Sequence, residues 1–279
     1  MLTQKDQRII RSRLDNIYKI ILSKKDIDYF ENEIVQIIKY FNKKNSKKKK
    51  NISEKTTLVI CYGDSVYSEK KKSIRVFQGF FKKKLKNYFN TIHFLPFYPS
   101  SSDSGFAVKD HYKIDNKLGN WSDIKSFSKK SDVMADIVIN HSSARGLWFK
   151  NFLKARRPGK DYFLTIDSKF NTSRVVRPRD HKLLRNIIDL LNVQTTIITE
   201  TNLPEKENLS YFGKNDEANW IYNFSLPPLL IHAFLFENSS YLNKWSKNLP
   251  NTKNENCYLN FIASHDGIGI RPTEGLLNK

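Results

Sequence analysis

Six short apolar runs, separated by longer segments of helical character, constrain the fold of this chain more than any other feature. They are TTLVICYG (56–63), TIHFLPFYP (91–99), SDVMADIVIN (131–140), TTIITET (195–201), NWIYNFS (219–225) and CYLNFIASHD (257–266). Strands that alternate with helices are typical of a parallel α/β fold. A dinucleotide-binding fold would need a glycine-rich first turn, and none of the 10 glycines forms one.

Polar and ionisable residues stand at the carboxyl ends of three of these runs. They are Asp136 and Asn140 in the third run with His141 directly after it, Glu200 in the fourth, and His265 and Asp266 in the sixth. In a (β/α)8 barrel the catalytic groups lie at the carboxyl ends of several different strands. The pattern therefore predicts an α/β fold of the TIM-barrel type.

The first part of the chain has a different pattern. IIRSRLDNIYKIIL and DYFENEIVQIIKYF place apolar residues at three- and four-residue spacing, so residues 1–45 are predicted to be helical. KKNSKKKKNISEKT (43–56) has almost no apolar content and indicates a solvated linker. We therefore predict an N-terminal helical extension with a basic linker (1–56), followed by a barrel domain (57–279).

The distribution of apolar residues and cysteines bears on the compartment. No stretch approaches the roughly 18–20 apolar residues of a membrane span, and the charged first 25 residues lack the apolar core of a secretory signal. Cys61 and Cys257 are the two cysteines, too few for a disulfide framework or a zinc site. We expect a soluble cytoplasmic protein.

A formal net charge of +20 raises the question of a polyanionic partner. The densest lysine runs are 47–50, 70–72 and 82–84, with little aromatic interleaving and no nucleic-acid-binding motif beside them. Many Asn and Ile residues accompany the lysines, which fits an A/T-rich coding sequence. We therefore rank nucleic-acid binding last among the functions considered and expect no membrane partner.

The acidic and histidine clusters suggest chemistry on a polar substrate. Cleavage of a glycosidic bond requires paired carboxylates, one of them acting as acid and base. Aromatic side chains that could stack on sugar faces occur near the clusters in the sequence: Tyr98, Phe106, Tyr112, Trp121 and Trp148. Each cluster alone could equally be a strand end with a hydrogen-bonded polar cap.

In order along the chain, these strings resemble the signature regions of the α-amylase superfamily, glycoside hydrolase family 13. DIVINH (136–141) is similar to the first region, ITETNLPEKENLSYFG (198–213) to the third and NFIASHDGIGIRP (260–272) to the fourth. LPFYPSSSDSGFAVKDHYKIDNKLGNWSDI (95–124), SRVVRPR (173–179) and EANWIYNFSLPPLLIHAF (217–234) resemble the branch of the sucrose phosphorylases and glucosylglycerate phosphorylases. The resemblance covers nearly all of residues 57–279.

The resemblance implies a role for each matching residue. Glu200 matches the general acid/base, and Asp266 matches the carboxylate that stabilises the oxocarbenium-like transition state. Residues that hold the glucosyl unit are matched by Asp103, His141 and His265. Structural residues of the site are matched by Asp136 and Asn140. The implied chemistry uses carboxylates and substrate alone, so no metal or organic cofactor is expected.

The chain departs from the family pattern in its second signature region. That region should hold an Arg-x-Asp motif whose aspartate is the nucleophile, but VVRPRD (175–180) passes directly into HKLLRNIIDLL (181–191). Asp180 lies beside Arg179 at the wrong spacing, so the nucleophile is not assigned to it. Six predicted strands instead of eight, and the absence of the C-terminal β-domain, indicate an incomplete barrel.

Three functions follow as alternatives. The resemblance implies a retaining α-glucosyl phosphorylase that converts sucrose or glucosylglycerate and phosphate to α-glucose 1-phosphate. Without the nucleophile segment we expect this chain to be weak or inactive alone, because members of a catalytic unit act together. The alternative is a non-catalytic sugar-binding protein or a decaying gene, and the third is a basic polyanion binder. The acceptor sugar, phosphorolysis against hydrolysis, and the oligomeric state stay open.

Overall fold

The computed structural model describes residues 2–20, 22–44, 53–102, 105–139, 141–163, 165, 182–191, 195–253 and 256–277. The chain divides into two compact units, one of Ile52–Val175 and one of Met1–Asn51 together with Val176–Lys279. We call them the central unit and the terminal unit. Among the described helices, none combines the length and apolar character needed to cross a membrane.

The central unit is built on a parallel three-stranded sheet. Its strands and helices are β1 (Leu58–Cys61), α3 (Ser73–Phe80), β2 (Thr91–Phe94), α4 (Trp121–Ser128), β3 (Asp132–Ala135) and α5 (Leu147–Leu153). The strand order is β1-β2-β3, with Leu58 opposite Thr91 and Thr91 opposite Asp132. All four residues of β2 are buried, as expected for the middle strand of a sheet covered on both faces.

Aromatic side chains form the core of the central unit. Phe77 of α3 and Phe127 of α4 pack against Phe94 of β2, with ring centroids 5.6 and 5.5 Å from that of Phe94. Asn120 caps α4, because its side chain accepts hydrogen bonds from the backbone N–H groups of Ser122 and Asp123. The helices are thereby fixed against the sheet that carries the first polar cluster.

The terminal unit contains a second parallel sheet and a helical layer. Its elements are α1 (Gln4–Tyr18), α2 (Lys24–Lys44), α6 (Lys182–Leu190), β4 (Ile198–Thr199), α7 (Glu205–Leu209), β5 (Trp220–Tyr222), α8 (Leu226–Leu235), α9 (Ser240–Asn248) and β6 (Cys257–Leu259). The strand order is β4-β5-β6, with Ile198 opposite Trp220 and Trp220 opposite Cys257.

The two N-terminal helices pack on α6. Ile10 and Leu14 of α1 and Ile38 of α2 are buried, and Leu183 and Ile187 of α6 pack against them. Asn42 donates a hydrogen bond to the carbonyl oxygen of Leu190 at 2.8 Å. The helices predicted over residues 1–45 are confirmed, while the predicted boundary at residue 56 stays a prediction and most of the predicted linker lies outside the described residues.

Each of the six predicted strands is present, and all of them pair in parallel. All six are shorter than predicted, and for two of them the neighbouring strand gives the reason. β3 ends at Ala135, opposite Phe94, because β2 runs into Pro96, which has no N–H to extend the ladder. β6 ends at Leu259, opposite Tyr222, because the chain after β5 turns into α8 at Leu226.

Candidate functional site

Three of the predicted site residues come together in the terminal unit. Glu200 directly follows β4, and His265 and Asp266 lie on the segment after β6. One carboxylate oxygen of each acid and one ring nitrogen of His265 all lie within 4.8 Å of one another. Glu200 and His265 are half-buried and Asp266 is exposed. The parallel sheet therefore gathers the two predicted catalytic carboxylates and a predicted sugar-binding histidine.

A tight turn presents His265 and Asp266 side by side. The hydroxyl of Ser264 accepts a hydrogen bond from the backbone N–H of Asp266 at 3.3 Å, and Gly267 adopts a left-handed φ of 76°. The ring nitrogen Nε2 of His265 lies 3.2 Å from Oδ1 of Asp266. Glycine is the residue that takes this φ without steric cost, so the turn fixes both side chains on one side of the segment.

The chemistry of this cluster follows from its donor set. Two carboxylates and an imidazole can bind the hydroxyl groups of a sugar, and the same oxygen and nitrogen atoms are ligands for divalent cations. A carboxylic acid beside a second carboxylate is also the pairing used for acid/base cleavage of glycosides. The expectation that no metal takes part stays a prediction.

Asp136 lies in the central unit, directly after β3. Its Oδ1 is 2.9 Å from Nε2 of His93 on β2, and its carbonyl oxygen accepts a hydrogen bond from the hydroxyl of Tyr98 at 3.4 Å. Burial, and secondly the charge of Asp136, raise the pKa of Tyr98. Asp136 is thus bonded to its own scaffold, which is the environment expected of a structural residue.

The remaining predicted residues are only partly described. His141 is exposed, and its Nε2 lies 3.0 Å from the carbonyl oxygen of Phe106. Asp103 and Asn140 lie outside the described residues, as does Asp180 beside the site where the nucleophile motif is expected.

Four of the five aromatic residues singled out in the sequence form one cluster with His111 in the central unit: Tyr98, Tyr112, Trp121 and Trp148. The rings of His111 and Trp148 stack with centroids 4.7 Å apart and an interplanar angle of 5°. The ring centroid of Tyr98 lies 5.6 Å from that of His111 and 6.4 Å from that of Trp121, and Nε1 of Trp121 donates to the carbonyl oxygen of Tyr112 at 2.7 Å. This is an aromatic surface that a sugar ring could stack against.

Sequence reasoning missed several residues that hold these groups. His93 and His111 contact the predicted residues from distant parts of the chain, and Asn208 links the segment after Glu200 to β5. A buried histidine in an apolar strand and an asparagine in a charged helix carry no local signal of such contacts. Only their position in the fold identifies them.

Comparison with known proteins gives concordant matches. Residues 83–178 match the α-amylase catalytic domain. Glucosylglycerate phosphorylase of Escherichia coli (strain K12) is 33% identical over 83% of this chain and 56% of its own length. Glucosylglycerate phosphorylase of Allomeiothermus silvanus is 31% identical over 81% of this chain and 55% of its own length. The chain thus spans little more than half the length of these relatives.

The solved structure of sucrose 6F-phosphate phosphorylase from Thermoanaerobacter thermosaccharolyticum has the same fold. The TM-score is 0.62 at 18% identity, with coverage of 82% of this chain and 63% of that one. The alignment with the Escherichia coli relative extends over 311 residues, more than the 279 residues of this chain. That relative therefore holds residues within the matched span for which this chain has no counterpart.

Proposed function

Because the chain belongs to the α-amylase superfamily, glycoside hydrolase family 13, in the branch of the glucosylglycerate and sucrose phosphorylases, we propose that its site binds the glucosyl unit of an α-glucoside. The observation that carries this proposal is the convergence of Glu200, His265 and Asp266 within 4.8 Å. In this proposal the partners are a small α-glucoside and phosphate, and the protein is cytoplasmic.

The proposed roles combine the family resemblance with the positions of Glu200, His265 and Asp266. Glu200, half-buried at the end of β4, protonates the oxygen of the leaving group, and the exposed Asp266 binds ring hydroxyls and stabilises positive charge in the transition state. His265 lies beside Asp266 and donates a hydrogen bond to a sugar hydroxyl. From the resemblance alone, we assign further hydrogen bonds to the glucosyl unit to Asp103 and His141, and structural roles to Asp136 and Asn140.

The full phosphorylase reaction would require a nucleophilic carboxylate. Retaining transfer passes through a covalent glucosyl ester, which splits one difficult displacement into two. The chain has no Arg-x-Asp motif of the second signature region. Within the span aligned with the Escherichia coli relative, that relative has residues with no counterpart in this chain. We therefore propose that transfer from sucrose or glucosylglycerate to phosphate is lost or reduced by several orders of magnitude, while glucosyl binding persists.

The test combines an activity assay with a binding measurement. The purified chain is incubated with phosphate and either sucrose or glucosylglycerate, and glucose 1-phosphate is measured against a Glu200→Gln control. Binding of the same sugars is measured by calorimetry on the wild type and on Asp266→Asn. We expect binding that Asp266→Asn weakens, with little or no product.

Each other outcome has a definite meaning. Product that disappears in Glu200→Gln would show that another carboxylate replaces the nucleophile, and the proposed loss of transfer would be wrong. A folded chain that binds neither sugar would refute the proposed sugar-binding function.

A further inference from the structure

A buried hydrogen-bond chain lies next to Glu200 in the terminal unit. The hydroxyl of Thr201 donates to Oδ1 of Asn208 at 2.7 Å, and Nδ2 of Asn208 donates to the carbonyl oxygen of Tyr222 at 2.8 Å. The three residues are 8%, 6% and 3% exposed. The carbonyl of Tyr222 can only accept, which orients the amide of Asn208 and leaves its oxygen to accept from Thr201.

These side-chain hydrogen bonds begin at the point where the backbone ladder between β4 and β5 ends. β4 is two residues long, and its last pair joins Thr199 to Ile221. Beyond that pair, Asn208 bridges the segment that follows β4 to the last residue of β5. Thr199 and Thr201, on either side of Glu200, are both buried; Thr199 pairs with Ile221 in the ladder, and Thr201 is hydrogen-bonded to Asn208.

Asn208 is itself held in place by the helical layer. It lies on α7, a helix of five residues, and Nε1 of the buried Trp245 on α9 donates to a carboxylate oxygen of Glu205 at the start of α7. Buried polar groups that are fully hydrogen-bonded restrict a structure to one arrangement. Hydrogen bonds therefore connect α9 to α7 and α7 to Thr201, the residue next to Glu200.

We infer that Asn208 is a positioning residue for Glu200, acting through the hydroxyl of Thr201. The inference rests on the proposed function, since it concerns the acid/base role of Glu200. A displacement of about 1 Å at a reacting group can cost roughly 100-fold in rate. β4 has only two ladder pairs with β5, so the carboxylate that follows it needs such an added tie to stay in place.

A purely structural role would make Asn208 matter for stability alone, and the variants are chosen to separate the two. Thr201→Val removes the hydroxyl at nearly constant shape, whereas Thr201→Ser retains a hydroxyl at this position. Asn208→Ala removes the bridge. Asn256→Ala is the matched control, because Asn256 is equally buried and donates from Nδ2 to Asn215 at 2.8 Å, at the opposite end of the same sheet.

Two measurements test the inference. The first is the affinity for sucrose and for glucosylglycerate, and the second is the pH titration of the 13C-labelled carboxyl of Glu200, assigned with Glu200→Gln. We expect Thr201→Val and Asn208→Ala to weaken sugar binding about tenfold, the effect of one buried hydrogen bond, and to move the titration midpoint. Thr201→Ser should keep the sugar affinity and the titration midpoint of Glu200 close to the wild-type values, and Asn256→Ala should change neither.

The two readouts distinguish this inference from the proposed function. If the wild type binds no sugar, the proposed function fails, and the Glu200 titration alone decides the role of Asn208. If Asn208→Ala does not fold, the comparison of Thr201→Val with Thr201→Ser decides it. Titration curves that coincide in the wild type and Thr201→Val would overturn the inference.

Discussion

Nε2 of His93 lies 2.9 Å from Oδ1 of Asp136, and this contact joins β2 to the segment that leaves β3 at the end of the ladder. His93 is fully buried. A carboxylate oxygen accepts hydrogen bonds, so Nε2 of His93 is the donor in this pair. Within the described part of the chain, neither Nδ1 of His93 nor Oδ2 of Asp136 has a hydrogen-bond partner.

Replacing His93 should therefore destabilise the chain by removing a partner from a half-buried carboxylate. We expect His93→Phe to lower the free energy of unfolding by about 2 kcal/mol, within the range for an unsatisfied buried polar group. His93→Gln retains an N–H donor and should lose less. Urea unfolding followed by tryptophan fluorescence measures both. Equal losses in the two variants would show that ring packing, and not the hydrogen bond, stabilises this site.

The backbone at position 105 requires glycine. Gly105 directly precedes Phe106, whose carbonyl oxygen contacts His141. Its φ is 83°, and a Cβ at this position would lie 2.5 Å from the carbonyl oxygen of Pro96. We expect Gly105→Ala to destabilise the chain by about 1–3 kcal/mol, the cost of a strained backbone position. Thermal or urea unfolding measures the loss.

Gly79 provides the matched control in the same unit. It lies in α3, and nothing is within 4 Å of a Cβ built on it. Alanine is preferred over glycine inside a helix by about 0.5–1 kcal/mol, so Gly79→Ala should stabilise the chain. Changes of the same sign in both variants would contradict the interpretation that Gly105 is constrained by its φ and by Pro96.

The strands were the most predictable part of the fold, for a physical reason. A strand in a parallel sheet is covered on both faces, so it reads as a continuous apolar run, and VICYG or IHFLPF is such a run. The strand ends were less predictable, because pairing depends on the neighbour. β3 stops early because of Pro96, two residues beyond the end of β2, and Pro96 lies far from β3 in the sequence.

The candidate site was predictable to a similar degree. Glu200, His265 and Asp266 were predicted from their order and resemblance, and the parallel sheet brings them together. The residues that position Glu200 and Asp136 were not predictable. Asn208 contacts Tyr222 fourteen residues away, and His93 contacts Asp136 across 43 residues. Pairings of this range are decided by the topology of the sheet, which a single sequence does not display.

Alkaline pH should destabilise the chain through Cys61. Burial, and secondly the charge of Asp64, raise the pKa of the Cys61 thiol from 9.0 to about 12. The unfolded state therefore ionises first, so the contribution of Cys61 is complete below pH 9 and is lost as the pH rises toward 12. We expect the free energy of unfolding to fall over that interval in the wild type, and to fall less steeply in Cys61→Ala.

The control for this measurement is Cys257→Ala. Cys257 is the exposed thiol, and burial of part of its side chain raises its pKa in the same direction. Unfolding curves from pH 8 to pH 11 for the three proteins give the slopes directly. A Cys61→Ala variant that retains the wild-type slope would show that another group causes the alkaline loss.

The two loops that carry the candidate site meet where Gly269 faces Asn202. A Cβ at Gly269 would lie 2.5 Å from Nδ2 of Asn202, two residues beyond Glu200. Asn202 is exposed, so a shift of the Asn202 segment that relieves this contact should cost little stability while it displaces the neighbouring Glu200. We expect Gly269→Ala to weaken sucrose binding, measured by calorimetry, with a nearly unchanged free energy of unfolding.

The double variant Gly269→Ala with Asn202→Ala is the control. It removes the close contact with the Asn202 side chain, so sucrose binding should recover relative to Gly269→Ala alone. Additive losses in the double variant would show that the two loops act independently.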